Sequence, residues 1–528
     1  MHNRFLALAA LFAALLGGCA SLPPPGADFP RGSSAAFQHP EKTRLGREFG
    51  KRARSHAGKS GFRLLPVGVD GFLVRAQMAD AAERTLDIQY YLFRRDDTGK
   101  LLIDAILRAA DRGVRVRMLI DDADASGRDP GVAVLAAHPR IEVRLFNPFA
   151  YRGEIDFLRY LEFAFNAPRL DYRMHNKLYV ADNQVALVGG RNVGDEYFQA
   201  SHEFEFGDYD VFAAGPVVRR LSESFDAYWN SAIAIPVEAL DGNPLAIPLD
   251  EYREQLANYR RQVRESDYAR RLATGEPLKG MISGRLPLVW AHSQVIYDNP
   301  QKEKVENDEV QGRLIRRPLA RAAAAVQSEL LIVSPYVVPG EKGMMFIKRL
   351  RERGVRIRVL TNSLESTDVP PVHAGYMHYR VPLLEDGVEI YEARRKLGRP
   401  RGSGGSLKAA HSGHFSLHAK VFVFDRSRLF IGSMNLDRRS LRINTELGLI
   451  IDSPELARQV AARFDSIAQP ANSYMLALRE GDAGGPPHLV WRTEEDGHTV
   501  ELESEPARTA WQRLQVDVLS LLPLDDEL

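Results

Sequence analysis

The sequence predicts an α/β protein of two pseudo-twofold-related lobes, each a mixed β-sheet flanked by helices. Two observations predict this fold. A strand–helix–strand pattern occurs twice, and the same polar motif stands at the same place in both copies. With 528 residues, 45% of them hydrophobic and 26% charged, the chain is long enough for two lobes of ordinary size.

The repeat is clearest in two segments about 240 residues apart, 109–119 (AADRGVRVRML) and 350–360 (LRERGVRIRVL). Each is typical of a helix end, a glycine that terminates the helix, and an alternating strand. Apolar runs that contain tyrosine near their ends, 86–91 and 330–336, come just before these segments and predict the preceding strands. The two copies therefore indicate βαβ units.

Around the repeats, the sequence predicts further segments with different compositions. A run rich in charge, from Glu251 to Arg271, favours a helix between the lobes. Glycine and proline in 394–405 predict a loop, which is either a solvated basic loop or a lid that meets phosphate. The expected order is a signal peptide (1–18), a lipidated tether (19–60), the first lobe (61–240), an inter-lobe connector (241–310), the second lobe (311–470) and a C-terminal extension (471–528).

The N-terminus resembles that of a bacterial lipoprotein. The apolar run 5–16 is too short to span a bilayer and suits the core of a signal peptide. Residues 16–19 (LGGC) resemble a lipobox, in which Cys19 would be the lipid anchor; the alternative is an ordinary cleaved signal with an incidental cysteine. Ala20 follows instead of aspartate, so we expect a membrane lipoprotein that faces the periplasm, at the bacterial outer membrane.

Composition narrows the classes of function. Cys19 is the only cysteine, so an internal disulfide and a CxxC metal site are both excluded. The net charge is +1, from 70 basic and 69 acidic residues, which gives no support to broad nucleic-acid binding. We expect no metal, no cofactor and no specific nucleic-acid partner. The sequence does not specify an oligomeric state.

The most informative feature is the motif HxKxxxxD, present as residues 175–182 (HNKLYVAD) and 418–425 (HAKVFVFD). In each copy a glycine follows 14 residues after the histidine and an asparagine 17 residues after it. One copy would mean little in a chain with 14 histidines. Two copies with the same downstream spacing, inside a wider repeat, are specific.

Each motif predicts a β-hairpin whose histidine and lysine project from the same face, because strand residues two apart share a face. The return strand brings Asn192 or Asn435 to the same end. Imidazole, ammonium and amide together suit a phosphate group, and Ser433 (Gly190 in the first copy) adds a hydroxyl, so Asn192, Asn435 and Ser433 are phosphate-binding candidates. The predicted catalytic motif residues are His175, Lys177, Asp182, His418, Lys420 and Asp425.

The two motif aspartates are predicted to act in the turns. An extended strand places Asp182 roughly 23 Å from His175, at about 3.3 Å per residue, which is too far for it to orient the imidazole. Asp182 and Asp425 are therefore assigned to capping backbone NH groups or pairing with a basic neighbour. We expect Glu446 to orient His418, and Asp208, which aligns with Glu446, to orient His175.

The duplication itself indicates a reaction. Displacing an alcohol from a phosphodiester needs a nucleophile on one side of phosphorus and a proton donor on the other. Two motifs that face each other across a pseudo-twofold axis supply one histidine for each task. The alternative, a duplicated fold with core histidines, does not explain why a lysine stands two residues after the histidine in both copies.

These motifs resemble the signature of the phospholipase D superfamily, and the chain after the tether is similar to the C-type branch of bacterial cardiolipin synthases. The segments that carry the narrower resemblance are 86–91, 121–122, 145–149, 173–177, 189–198, 361–364, 373–376, 505–506 and 520–523. The lipobox is not a general property of that branch.

The resemblance implies metal-independent, two-step phosphatidyl transfer through a phosphohistidine, with His175 favoured as the nucleophile and His418 as the acid/base. It implies phospholipid substrates in a membrane and a product, cardiolipin, made from phosphatidylglycerol and a second phospholipid. Three alternatives stay open: hydrolysis to phosphatidic acid by a phospholipase D, a phosphodiesterase or nuclease, and a non-catalytic lipid-binding lipoprotein that has kept the fold.

Overall fold

The computed structural model describes residues 23–123, 134–153, 155–201, 203–240, 247–273, 275–397, 414–481, 485 and 487–522. Cys19, the lipobox and most of the basic loop 394–405 lie outside the described residues.

The first lobe alternates strands and helices. Its strands are β1 (Ser60–Leu65), β2 (Thr85–Tyr90), β3 (Arg115–Asp121), β4 (Ile141–Phe146), β5 (Leu178–Ala181), β6 (Val185–Gly189), β7 (Phe204–Gly207), β8 (Asp210–Ala214) and β9 (Ala234–Pro236). Its helices are α1 (Arg44–Arg54), α2 (Gly68–Ala81), α3 (Asp97–Asp111), α4 (Asp156–Phe165), α5 (Ala167–Leu170) and α6 (Pro216–Trp229).

The rest of the chain forms the connecting elements and the second lobe. Its strands are β10 (Val289–Tyr297), β11 (Glu329–Val333), β12 (Arg356–Asn362), β13 (Glu389–Ala393), β14 (His414–Leu417), β15 (Val421–Phe424), β16 (Arg428–Gly432), β17 (Leu447–Asp452), β18 (Ser473–Arg479), β19 (His488–Glu495) and β20 (His498–Leu502). Its helices are α7 (Leu249–Val263), α8 (Asp267–Ala273), α9 (Pro277–Ser283), α10 (Lys302–Glu306), α11 (Arg316–Ala324), α12 (Gly340–Glu352), α13 (Pro370–Glu385), α14 (Arg438–Arg442), α15 (Pro454–Ile467) and α16 (Ala510–Ser520).

The predicted repeat is confirmed element by element. In the first lobe the strands lie in the order β1-β8-β6-β5-β2-β3-β4-β9, and in the second they lie in the order β10-β17-β16-β15-β11-β12-β13-β18. The glycines of the repeated segment, Gly113 (φ 95°) and Gly354 (φ 82°), follow α3 and α12 in the left-handed conformation that a helix-terminating glycine adopts.

The two sheets are joined. β1 pairs antiparallel with β10, with Ser60 opposite Ala291 and Phe62 opposite Val289. Both strands stand at the same place in the two lobes, so this pair lies between the two halves of one 18-stranded sheet. A buried core that contains Val180 and Val188 of the first lobe and Val423 and Ile431 of the second packs the halves together.

The connector differs from the expectation. The predicted helix over 251–271 is two helices, α7 and α8, which pack on the first lobe, and Tyr252 and Leu256 are buried in that lobe's core. β10 lies within the expected connector but pairs with β17 over six residues, so it belongs to the second lobe's sheet. The segment is thus part of both lobes and not a spacer.

The expected tether also differs over its described part. α1 begins after Thr43, whose side chain accepts a hydrogen bond from Gly46 N, and it buries Leu45 and Phe49 completely in the first core. Ala36 N donates to Asp226 Oδ2 at 2.9 Å. Residues 36–54 therefore belong to the folded lobe because apolar side chains there have a core to enter.

The C-terminal extension completes the second sheet. β18 pairs with β13, β19 and β20 follow at the edge, and α16 packs on α13. Among the helices of the described residues, none combines the length and apolar character needed to cross a membrane.

Candidate active site

The site lies where the motif hairpins of the two lobes meet. In each lobe the hairpin is the one predicted: β5 pairs with β6 and β15 with β16. The histidine and lysine stand just before the first strand, and both imidazoles are buried, with His175 7% and His418 6% exposed.

The motif aspartates occupy the hairpin turns. Asp182 and Asp425 have φ values of 52° and 49°, a conformation that aspartate tolerates in turns. The carboxylate of Asp182 accepts hydrogen bonds from the backbone NH groups of residues 83–85, and that of Asp425 accepts them from residues 327–329. Each aspartate therefore fixes its hairpin to the start of the neighbouring strand, and neither touches a histidine.

His175 is oriented by the other lobe. Its Nδ1 lies 3.0 Å from Oε2 and 3.1 Å from Oε1 of Glu446. The backbone enforces this contact: His175 N donates to Thr445 O at 2.9 Å, and Thr445 N donates to Arg173 O at 2.9 Å. This backbone pairing places Glu446, the residue after Thr445, beside the imidazole of His175.

His418 has the corresponding arrangement. Its Nδ1 lies 2.6 Å from Oδ2 of Asp208. β14, which ends just before His418, pairs in parallel with β7, which ends just before Asp208, and His418 N donates to Gly207 O at 2.9 Å. This short ribbon brings the carboxylate of the first lobe to the imidazole of the second.

The predicted pairing was therefore wrong, although the two carboxylates were identified. Asp208 and Glu446 were assigned to the histidines of their own lobes, whereas each bonds to the histidine of the other. The reason is that the segments preceding the carboxylates form backbone hydrogen bonds across the lobe interface. Neither imidazole has its orienting carboxylate until both lobes are in place.

The two lysines are buried beside the histidines. Lys177 Nζ donates to His175 O at 2.7 Å and lies 5.2 Å from the centre of the Tyr91 ring. Lys420 Nζ donates to His418 O and lies 2.9 Å from His418 Nδ1. When Asp208 is ionised its carboxylate can only accept, so Nδ1 of His418 then carries the proton and Nε2 has the lone pair.

Burial and positive charge make the imidazoles neutral. Burial lowers the pKa of both histidines well below the usual value, and the ammonium groups of Lys177 and Lys420 lower it further. A neutral imidazole is the form that can act as a nucleophile.

The flanking charges are shifted as well. Burial lowers the pKa of Lys420 to about 8, although Asp208 opposes this, and lowers that of Lys177 well below its usual value. Burial raises the pKa of Glu446 to about 7, against the opposing effects of Lys177 and Ser433. An anion placed among two buried ammonium groups would restore the charge balance of the site.

The difference between Gly190 and Ser433 has a steric cause. A Cβ atom at Gly190 would lie 2.2 Å from Oδ1 of Asp208, so only glycine fits there. Ser433 instead donates its hydroxyl proton to Glu446 and accepts from Leu447 N at 3.0 Å. Ser433 was predicted to bind phosphate; since its only proton goes to Glu446, it holds the orienting carboxylate.

The two predicted asparagines differ. Asn192 Oδ1 accepts from Leu92 N at 3.3 Å, and its Nδ2 donates to the hydroxyl of Tyr197 at 3.0 Å, so the amide links β2 to the segment after β6. Asn435 is buried, and its Oδ1 has no hydrogen-bond partner among the described residues. Phosphate binding by either asparagine stays a prediction.

Several residues that hold the site were missed from the sequence. Arg191 donates to Asp208 O at 2.6 Å and to Leu65 O at 2.8 Å, and so fixes the strand that carries the carboxylate. The ring of Tyr197 packs edge-on against His418. A buried arginine needs oxygen partners, but the burial of Arg191 is known only from the fold and cannot be read from the run 189–192 (GGRN).

The connector supplies two further residues. Asp298 Oδ2 accepts from Glu446 N at 3.1 Å, and Lys302 Nζ donates to that same Asp298 oxygen at 3.0 Å. Lys302 also donates to the carbonyl oxygens of Ser440 and Asn444, and so it fixes the backbone of the loop that precedes Glu446. The buried salt bridge between Asp298 and Lys302 could not be inferred from the sequence, because the composition of 241–310 is that of a polar linker.

The described residues contain no cluster of three or more histidine, cysteine, aspartate or glutamate side chains that could hold a metal ion. The arrangement is a pair of neutral imidazoles, each fixed by a carboxylate from the opposite lobe, with a buried lysine beside each one. It can hold a phosphate group and provide one ring for attack and one for proton transfer.

Comparisons with known proteins agree with this geometry. The family model described as "Cardiolipin synthase, PLD-like domain" matches residues 76–229 and 319–468, one match in each lobe. Cardiolipin synthase C of Escherichia coli is 37% identical over 478 residues, which cover 89% of this chain and 96% of that protein. A probable cardiolipin synthase of Bacillus subtilis is 23% identical over 412 residues, which cover 78% of this chain and 66% of that one.

A solved structure shares the fold. The crystal structure of phosphatidylserine synthase from Haemophilus influenzae superimposes with a TM-score of 0.51 at 15% identity, covering 81% of this chain and 91% of that one. With the duplicated motif, the two buried histidines oriented from opposite lobes and the family match in both lobes, the chain belongs to the cardiolipin synthase family and is a phosphatidyltransferase of the phospholipase D type.

Proposed function

We propose that the protein makes cardiolipin from phosphatidylglycerol and a second phospholipid through a phosphohistidine intermediate. The observation that carries the proposal is the pair of buried imidazoles, each bonded through Nδ1 to a carboxylate of the other lobe. The similarity to cardiolipin synthase C of Escherichia coli over 96% of that protein supports the choice of product.

The reaction has two steps, with His175 assigned as the nucleophile by the resemblance to the family. Its neutral Nε2 attacks phosphorus, the bond from phosphorus to the headgroup oxygen breaks, and the leaving alcohol takes a proton from His418. The negative charge of the bound phosphodiester offsets Lys177 and Lys420, so it raises the pKa of His418 in the complex and makes that ring an acid. The incoming glycerol hydroxyl then gives its proton to His418 as its oxygen attacks the phosphohistidine.

The product distribution tests the proposal. Mass spectrometry of the lipids formed from purified protein and phosphatidylglycerol should detect cardiolipin and free glycerol. Phosphatidic acid without cardiolipin would identify a hydrolase, and DNA degradation under the same conditions would identify a nuclease.

His175→Ala and His418→Ala should each abolish the reaction, because removal of either ring disables a shared step. An unchanged cellular effect of both variants would instead indicate a lipid-binding role.

The order of the two histidines has its own test. With a phosphatidyl ester whose phenolate leaving group needs no proton, His418→Ala should accumulate a phosphatidyl adduct on residue 175, detectable in tryptic peptides. His175→Ala should form no adduct at residue 418. Accumulation on His418 alone would reverse the assignment.

We also propose that Cys19 carries a lipid and anchors the chain at the periplasmic face of the bacterial outer membrane. The support is the 16–19 sequence LGGC, which contains the chain's only cysteine. Metabolic labelling with a radioactive fatty acid should label the wild type and not Cys19→Ser. Label in the variant, or none in the wild type, would overturn the anchor.

A further inference from the structure

Helix α4 has its polarity reversed relative to an ordinary surface helix. A surface helix buries an apolar stripe and exposes its charges. In α4 the aromatic side chains of Phe157, Tyr160 and Phe165 are 65%, 73% and 81% exposed, whereas Arg159 is buried. The neighbouring apolar side chains, Ile155, Leu158, Leu161 and Phe163, are exposed as well.

The polar side of α4 is fixed to the active-site lobe. Glu162 accepts hydrogen bonds from Ala150 N at 2.7 Å and from Tyr151 N at 2.8 Å, and Arg159 donates to Asp122 O. The preceding residue, Asp121, accepts from Met174 N at 2.7 Å, next to His175. Two hydrogen bonds, through Asp122 and Asp121, therefore connect the helix to the residue before His175, while its aromatic side chains stay exposed.

The pseudo-symmetry pairs α4 with a basic segment. α4 stands between β4 and His175, and its counterpart in the second lobe begins after β13 with Arg394, Arg395 and Lys396 and leads to His418. Arg395 N donates to Glu365 Oε1 at 3.0 Å and Arg508 Nε donates to Glu365 O at 2.8 Å, so the basic segment and Arg508 lie on either side of one residue. An apolar helix and a basic patch thus follow equivalent strands on the two sides of one site.

A second apolar stripe lies beside the basic patch. Arg508, which donates to Thr367 O at 2.8 Å, immediately precedes α16. On α16 the exposed residues Trp511, Leu514 and Val518, with Leu521 after its end, follow the three- and four-residue spacing of one helix face. Because parallel strands point their carboxyl ends to the same edge of a sheet, α4 after β4 and the basic segment after β13 belong to the edges where the histidines lie. α16 packs on α13, and Arg508 ties its start to the segment after β12 by donating to Glu365 O and Thr367 O at 2.8 Å.

We propose that α4, the basic residues Arg395, Lys396 and Arg508, and the apolar face of α16 form a seat on an anionic phospholipid bilayer, at the edge of the lobes that carries the catalytic histidines. Apolar and aromatic side chains combined with cations are the composition of interfacial lipid-binding surfaces. The inference rests on the proposed function in one respect: a phosphatidyl donor must bring its headgroup to His175 while its acyl chains stay in the bilayer.

A site-specific probe tests the seat. In a full-length Cys19→Ala background, which has no other cysteine, Phe165→Cys is labelled with an environment-sensitive fluorophore, and Arg220→Cys on α6 serves as the matched control. With vesicles of phosphatidylglycerol and phosphatidylcholine that carry nitroxides on the acyl chains, the probe at residue 165 should shift to the blue and be quenched. The probe at residue 220 should do neither.

Each of the other possible fluorescence results contradicts the proposed contact of α4 with the bilayer. Absence of quenching at residue 165 shows that α4 does not enter lipid. A blue shift without vesicles that grows with protein concentration shows that a second copy covers α4, and a shift that is independent of concentration shows that another segment of this chain covers it.

Activity provides a second readout. We expect the variant Phe157→Ser/Tyr160→Ser/Phe165→Ser to lower the ratio of activity on vesicles to activity on dispersed short-chain phosphatidylglycerol by roughly tenfold or more. Met345→Ser, which removes an exposed apolar side chain from α12, is the control and should keep the ratio. An unchanged ratio in the triple variant contradicts the proposed seat.

The two proposals can fail separately. If the wild type makes no cardiolipin while the probe at residue 165 enters the bilayer, the proposed function is wrong and the bilayer contact of α4 is retained.

Discussion

At the scale of single residues, the site depends on charges that burial has shifted toward neutrality. The Lys177 and Lys420 side chains are 1% exposed, and Asp208 and Glu446 are completely buried. A lysine so deeply buried keeps its charge only if an anion compensates it. The two carboxylates do so in part, and a phosphodiester anion would complete the compensation.

The crossed carboxylates give different signatures for the two histidines. Asp208→Asn should change the imidazole ¹⁵N resonances of His418, because Asp208 fixes the tautomer of that ring, and leave those of His175 nearly unchanged. Glu446→Gln should have the reverse effect. The measurement is long-range ¹H–¹⁵N correlation on histidine-labelled protein, with His→Ala variants for assignment. Perturbation of the histidine in the same lobe would contradict the crossed arrangement.

The pH dependence of kcat/KM should be bell-shaped, with its maximum between about pH 7 and 8. Glu446 must be ionised to orient His175, so activity falls as the pH drops below its pKa of about 7. Lys420 must be charged to bind phosphate, so activity falls as the pH rises through its pKa of about 8. In kcat the alkaline limb should lie at higher pH, because bound phosphate raises the pKa of the ammonium group.

Ser433 provides the control for the acid limb. Its hydrogen bond lowers the pKa of Glu446, so Ser433→Ala should move the acid limb of kcat/KM to higher pH and leave the alkaline limb in place. If only the alkaline limb moved, the assignment of the two limbs would be wrong.

At the scale of elements, the two motif hairpins show that the aspartate of the motif has a structural role in the turn and takes no direct part in the reaction. Asp182 and Asp425 each accept hydrogen bonds from three successive backbone NH groups at the start of a neighbouring strand. The hairpin and the central strand are thereby held in register, and the register decides where the histidine and lysine emerge.

The two aspartates should contribute unequally to stability. Asp182 is fully buried, so Asp182→Ala leaves three NH groups without water and should lower the free energy of unfolding by about 2–4 kcal/mol. Asp425 is partly exposed, so water can replace its carboxylate, and Asp425→Ala should cost about 1 kcal/mol. Urea denaturation followed by circular dichroism measures both. Equal losses would show that burial of the turn does not set the cost.

At the scale of the whole molecule, the lobes form one active unit because each completes the other. The pairs β1–β10 and β7–β14 cross the interface, and the second of these carries Asp208 to His418. The C-terminal extension is part of the same unit, since Glu505 lies 2.7 Å from Nε2 of His373 and forms an ion pair with Arg380 of α13.

Glu505→Gln should therefore loosen the extension and lower the free energy of unfolding by about 3 kcal/mol, because it breaks a buried ion pair. Although burial alone would raise it, Arg380 and His373 hold the pKa of Glu505 at about 2. A carboxyl group with a depressed pKa stabilises the fold above its unfolded pKa and loses this effect as the pH falls. The difference between wild type and variant should shrink from about pH 4.5 to about pH 2 in denaturant titrations. A difference that is constant over this range would exclude the charge as its source.

The sequence by itself determined the features that are local or repeated. Alternation, helix-ending glycines and the HxKxxxxD spacing predicted the α/β lobes, the hairpins and the turn position of the aspartates, because each depends on neighbours a few residues away. The composition of 241–310 and 19–60 gave the wrong prediction of an exposed connector and tether. Charge and proline predict exposure only where no other part of the protein packs against the segment, and here the folded lobes contact β10, Asp298, Lys302 and α1.

The tertiary structure decided which groups meet. Alignment identified Asp208 and Glu446 as equivalents but could not say that each serves the opposite histidine, because that depends on which backbone segments pair across the interface. It likewise decided that Ser433 holds Glu446 and that α4 turns its aromatic rings outward. The two contacts between a histidine and its carboxylate join residues more than 200 positions apart, which carry no periodic signal in the chain, so only the folded arrangement of the two lobes fixes them.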